Sequence, residues 1–286
     1  NAILDPILIF GLDMELTGAA LASVAARLTI GATALLPLFR HHGGIELPKL
    51  GPLLRDLRPI FVIAVPAILT QLATPIGQAF VTRSMAQFGE AAVAGMAITA
   101  RLTPVAFGVL FALSGAIGPI IGQNFGAEKL DRVRLAYREG LLFCLVVVIF
   151  VSIVLYVLRD PIADLFDAED EALTLVYLFC GPLALAFFFN GAIFVSNAAF
   201  NNLGHPFYST WINWGRHTLG TIPTVLLGAA LFGAPGVLIG QAVGGVIFAA
   251  LSAWLAFRVM NADLQPSEKP HFAREGRLMS LLHHRR

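Results

Sequence analysis

Asp5 lies in an otherwise apolar string that runs from Ala2 to Phe10. A carboxylate among hydrocarbon side chains is costly, and it is usually kept where it faces a polar cavity or a partner. Burial favours the protonated form of such a group and a bound cation favours the ionised form. A proton and a sodium ion would therefore compete for one site. Asn1 stands four residues earlier, one helical turn away on the same face. A second reading of Asp5 stands beside the first: it leads into Pro6 and a turn, so it would also serve as a cap at a helix end near the membrane interface.

A second set of polar groups is Gln71, Thr74 and Gln78, which follow one another at three- and four-residue steps. That spacing makes a stripe along one helix face, suited to lining a cavity or to hydrogen bonding between helices. Arg101 falls inside an apolar run, where a cavity-facing or helix-tethering role is expected; Arg27 and Arg216 are expected to snorkel to an interface. Phe187, Phe188 and Phe189 offer ring faces to a cation, or pack against lipid and protein. Trp211, Trp214 and Trp254 are expected as interfacial anchors. His41-His42 and His283-His284 lie in basic segments without further ligands at metal-binding spacing, so no metal site is expected.

The elements that must hold these groups follow from composition. The chain has 286 residues, 57% of them hydrophobic and 13% charged, with mean hydropathy +0.77. A soluble domain carries roughly a quarter charged residues. Nineteen basic against eighteen acidic residues leave a net charge of +1, so nucleic acid is not an expected partner. Cys144 and Cys180 both fall in apolar runs and read as small buried hydrophobes. Charge-poor apolar stretches recur over Gly18–Phe39, Pro59–Thr82, Ala91–Ala127 and Gly140–Leu158. Two more crossings fall in Glu171–Trp214, divided at Asn201–Pro206, and His217–Phe257 completes the second of these and adds another, divided at Phe232–Gly236. Each is long enough to span a bilayer as helix. The expected fold class is all-α: a polytopic membrane helix bundle in the lipid bilayer.

Basic connections (Arg40 to Arg58, Lys129 to Arg138, and the tail from Arg258) alternate with acidic ones (Asp13 and Glu15, Glu90, and Asp160 to Glu171). By the positive-inside rule, the basic connections and the C-terminus are expected in the cytoplasm.

The first forty residues resemble the last two spans. Pro6 precedes Gly18 by twelve residues and Pro223 precedes Gly236 by thirteen. Small residues then recur every fourth position: Gly18, Ala22, Ala26 in one stretch and Gly236, Gly240, Gly244 in the other. Such a ladder lets a neighbouring backbone approach closely. The match suggests two copies of a six-span unit, one complete and one partial, in a two-lobed duplicated or inverted arrangement with binding between the halves. Four expected regions result: 1–40, the last one and a half to two spans of an N-terminal lobe; 41–58, a cytoplasmic linker; 59–260, a six-helix lobe; and 261–286, a basic cytoplasmic tail. The ten-residue apolar start, without Met or a basic leader, is expected to continue an upstream part of the same protein, so its missing N-terminal spans count among the partners.

Several segments resemble the multidrug and toxic compound extrusion (MATE) family. Gly122-Gln123-Asn124-Phe125-Gly126-Ala127 followed by Asp131-Arg132-Val133 is similar to the family's segment at the cytoplasmic end of the second span of a lobe. Asn1 to Pro6 with Ile9-Phe10-Gly11 and Gly18-Ala19-Ala20 resembles the end of its N-terminal lobe, Ala91 to Arg101 the start of a lobe's second span, and Asn202-Leu203-Gly204-His205-Pro206 a further cytoplasmic turn. The resemblance covers Asn1 to about Met260. It implies twelve spans in two lobes and export of amphipathic, often cationic, small molecules from a bacterial inner membrane. Protons or sodium ions would drive the export, with no cofactor and no enzymatic activity. It places Asn1 and Asp5 on the family's cation site, and Ser23 where a hydroxyl is common. One branch carries carboxylates at two positions of the C-terminal lobe that align with Thr74 and Asn190, neither of which titrates; this matches the DinF-like branch and leaves Asn190 as a polar cavity residue.

Two observations on the residues agree with the resemblance. No GxxxxGK[ST] loop is present for ATP. One charge crossing 100 mV supplies about 2.3 kcal/mol, enough to drive export. Two rival functions remain: a related exporter or flippase of lipid-linked or endogenous metabolites, signalled by a wider or more basic cavity, and a membrane enzyme built on the acidic run Asp160–Glu171.

Overall fold

The computed structural model describes residues 3–41 and 50–261, and all regular structure among them is helical. Asn1, residues 42–49 of the expected linker and residues 262–286 of the expected tail lie outside the described residues. The chain divides into two compact units, residues 1–60 and 61–286.

In the first unit, α1 (Leu4–Pro6) continues into a π-helical turn, Ile7–Gly11, and the chain then reverses into α2 (Glu15–His41). The reversal is held by backbone bonds: Leu12 N donates to Ile7 O at 3.0 Å and Met14 N to Leu8 O at 3.1 Å. Gly18 makes the return possible. A Cβ there would stand 2.8 Å from the Leu8 carbonyl carbon and oxygen, so only a hydrogen fits. One turn on, Ala22 is fully buried.

α3 (Leu50–Met85) begins nine residues ahead of the expected span, so residues 50–58 of the expected linker are helical. Leu53, Leu54 and Leu57 favour helix there, and Pro52 falls in the first turn, where its missing N–H would have had no partner.

In the second unit, α4 (Glu90–Gly126), α5 (Leu130–Val157), the short α6 (Arg159–Leu165), α7 (Asp170–Leu178), α8 (Ala184–Asn202), α9 (Pro206–Gly215) and α10 (Thr221–Asn261) follow α3. α7 runs into α8 through a π-turn, Phe179–Leu183, and α9 into α10 through another, Arg216–Gly220. α10 is itself two helices meeting at Gly233. Counting each joined pair once and dividing α10, the unit has the six expected crossings, and Glu15–Pro37 is a further membrane-length apolar helix.

α5 shows how sequence selects its buried face. Val133, Tyr137, Gly140, Cys144, Val148, Ser152 and Leu155 are buried at three- and four-residue steps, while Phe143, Val146, Phe150 and Ile153 are exposed. One stripe faces protein and the rest of the helix is apolar outward, as a lipid-facing helix requires. α8 packs against α4, α5, α9 and α10, and small residues (Gly191, Ala192, Ser196, Ala199) recur along it so that neighbours approach closely. Both cysteines are buried in this core, Cys144 against Gly191. Tyr137 and Ser196 hydroxyls stand 2.9 Å apart, and Ser252 reaches Ser196 at 3.4 Å, which joins α5, α8 and α10 through satisfied polar groups.

The second half of α10 returns along the first in a glycine-lined antiparallel pair. Gly236 meets Gly228, Gly240 meets Thr224, and Gly244 meets Gly220, in each case backbone to backbone. Thr224 Oγ1 donates to Gly240 O at 2.7 Å across the pair. The hinge is Gly233, at φ 65° and ψ −141°, a conformation that side-chain-bearing residues avoid. At the far end of α10, Arg134 Nε and Nη2 both donate to Met260 O, at 3.2 and 3.0 Å, and so satisfy a carbonyl in the helix's last turn.

Candidate functional site

The first unit carries the expected cation group. Asp5 falls in the first turn of α1 and is half-buried. Ser23 lies on α2 and is exposed. Among the described residues Asp5 makes no side-chain hydrogen bond and no ion pair. Asn1, the third member of the expected set, lies outside those residues.

The second unit holds a cavity of about 330 Å³ whose walls come from α3, α4, α8, α10 and the two π-turns. Breaks in helices make it. Pro104 has no N–H for the Ala100 carbonyl, and α4 departs from helical geometry at Phe107, three residues on. The turn Phe179–Leu183 contains Pro182 and a non-helical Gly181 at φ −100°, ψ −115°. The turn Arg216–Gly220 lies just ahead of Pro223.

Each wall brings a particular chemistry. On one side, Gln241 Nε2 donates to Gln78 Oε1 at 3.2 Å, which leaves the Gln78 amide N–H groups for other partners. On α4, Thr99 and Thr103 hydroxyls donate to the Met96 and Thr99 carbonyls, at 2.9 and 2.8 Å, and so present acceptor oxygen only. Phe187 stacks on Phe107 with centroids 4.0 Å apart, which fixes its ring in the wall. Arg216 donates through Nη2 to Asn190 Oδ1. Among the lining residues Arg216 is the only charged one, and no acid is present.

α9, which leads into the Arg216 turn, is tied to α3. Thr210 Oγ1 donates to Pro66 O at 3.0 Å and Trp214 Nε1 to Leu69 O at 2.9 Å. His217 then packs on Gly77. These ties fix where the guanidinium enters.

Of the residues singled out in the sequence, Gln78 and Asn190 line this cavity, while Gln71, Thr74 and Arg101 are exposed and are not among its lining residues. Gln71 sits two helical turns from Gln78, about 10 Å along the axis, beyond the cavity's reach. Arg216 corrects an expectation: it does not snorkel to an interface but turns inward to Asn190. The signal that could have found it is an arginine seven residues ahead of Pro223 in a run otherwise free of charge. Trp214, expected as an interfacial anchor, tethers two helices. Asn202, in the turn Asn202–Pro206, lays its amide against Gly118 and Gly122, which joins two segments that carry the MATE resemblance.

A family model described as MatE matches residues 66–227, more than half of the chain. This chain belongs to the MatE family of membrane transporters. It is 29% identical over 268 residues to an FAD transporter of Shewanella oneidensis, covering 91% of this chain and 59% of that protein. It is 24% identical over 263 residues to the multidrug export protein MepA of Staphylococcus haemolyticus, covering 91% of this chain and 58% of that one. Among solved structures, the MATE transporter VcmN of Vibrio cholerae in its bent form superposes with TM-score 0.75 at 29% identity, covering 90% of this chain and 59% of VcmN. The chain thus spans about three fifths of the length of the relatives it matches.

Proposed function

We propose that this chain belongs to a secondary antiporter that exports amphipathic small molecules in exchange for protons or sodium ions by alternating access. What carries the reading is the cavity at helix breaks, apolar with a few polar groups, in a bundle of this family. Interrupted helices expose backbone polar groups only where they line a cavity or are buried in protein, and they supply the joints for a change of facing. Asp5 is the coupling group, with Asn1, four residues earlier in the sequence, and Ser23 on the next helix as the other members of the set. Its lack of a protein cation partner among the described residues suits a carboxylate that takes its cation from solution. Thr74 and Asn190 cannot titrate, which supports coupling confined to the N-terminal lobe, as in the DinF-like branch. The basic segments are taken to face the cytoplasm of a bacterial inner membrane, with the C-terminus inside.

Asp5→Asn is expected to abolish gradient-driven efflux from inverted membrane vesicles while leaving membrane expression unchanged. Unchanged efflux would remove Asp5 from the mechanism. A second reading, transport of endogenous metabolites rather than cationic drugs, is favoured by Arg216: the cavity's one charge is positive and repels a cation. A relative that transports FAD agrees with it.

A further inference from the structure

We infer that the cavity of the second unit recognises an anionic group, a carboxylate or phosphate carried on an aromatic or apolar body, and that Arg216 is the residue that binds it. The inference rests on the transport reading above and names the substrate class.

A guanidinium away from bulk water is costly unless its charge is met by an anion. Arg216 has no such partner: among the described residues its side chain makes one hydrogen bond, to the neutral Asn190 carbonyl. Five N–H donors in a planar fork are available to arginine, and a fork matches the paired oxygens of carboxylate or phosphate. One donor is engaged by Asn190, which aims the group; the others have no partner among the described residues, and Arg216 lines a cavity with no acid in its lining. Gly245 lies beside the guanidinium: a Cβ there would be in van der Waals contact with Arg216 Nε, at 4.0 Å.

The remaining walls fit the rest of such a ligand. Phe187 is held in place by its stack on Phe107 and offers a ring surface, with Met96, Leu183 and Leu238 completing an apolar wall. Gln78 brings amide donors that would add hydrogen bonds to a second oxygen. The cavity has donors and apolar surface in abundance, and a positive charge where a cationic ligand would need a negative one.

The test uses riboflavin and its 5′-phosphate, which share a ring system and differ in charge. Binding to the whole chain in lipid nanodiscs is measured by flavin fluorescence anisotropy. The phosphate is expected to bind at least tenfold more tightly than riboflavin, and Arg216→Gln should erase the difference while Arg216→Lys retains part of it. Asn190→Asp keeps Arg216 but supplies a built-in carboxylate, so the preference should vanish there too. Equal affinities in the unaltered chain, or no measurable binding of either flavin, overturn the proposal, as does a preference that survives Arg216→Gln. Transport is scored separately in vesicles: a phosphate preference without gradient-driven movement would refute the antiporter reading and leave the anion site standing.

Discussion

Where α1 turns back into α2, a single glycine meets a single stretch of backbone, Gly18 on Leu8; where the halves of α10 fold on each other, glycine contacts occur at three levels and a threonine hydroxyl bridges the pair. Both hairpins follow a proline and both rely on small residues every fourth position. They differ at the residue before that proline. The N-terminal copy has Asp5, and the C-terminal copy has Ile222. Backbone contact runs over three levels of the α10 pair, while the α1–α2 pair has one such contact and carries a carboxylate. The comparison teaches that one hairpin is built to stay together, and that under the proposed function the other holds the coupling carboxylate.

This contrast can be broken by substitution, and Gly240 is one place where a large effect is expected. A Cβ there would collide with the Thr224 carbonyl and lie 2.7 Å from Val225 Cα. Gly240→Ala should therefore cost about 3 kcal/mol, the upper end of overpacking, because both backbones are held at neighbouring levels. Gly18→Ala should cost about 1 kcal/mol, since α1 is short and can shift. Thermal melting in detergent micelles checks both, and a larger drop for Gly18→Ala would reverse the comparison. Gly233→Ala comes next: a side chain at φ 65° and ψ −141° should cost about 2 kcal/mol by the same assay. Thr224→Val removes the bond to Gly240 at near-constant volume and should lower stability by about 1 kcal/mol. The smallest change sharpens the contrast most. Asp5→Ile copies the C-terminal residue into the N-terminal hairpin; stability should move by less than about 0.5 kcal/mol, while gradient-driven transport is lost.

Sequence alone reached the crossings, a division within Phe232–Gly236 and the small-residue ladder of the α10 pair, because span length and four-residue spacing follow directly from helix geometry and bilayer thickness. Gln78 and Asn190 were also within its reach. Arg216 was not, and the reason is physical. A π-turn inserts one residue into a helical turn, so the face assigned by a 3.6-residue wheel is wrong beyond it. Arg216 opens such a turn, where the regular helical wheel no longer holds. Gln71 and Thr74 fail for a different reason: they continue the Gln78 stripe correctly, but a stripe does not say how far along the helix the cavity extends. Helix periodicity gives direction around an axis and no depth.

Both native thiols are sealed in the core: Cys144 lies behind Gly191 and Cys180 within the turn that leads into α8, with neither sulfur-bearing residue exposed. A water-borne maleimide should pass them by. The native chain therefore offers a silent background, on which a single cysteine placed at Ser23, Thr103 or Gln241 would report, by its labelling from either side of the membrane, which way each opening faces.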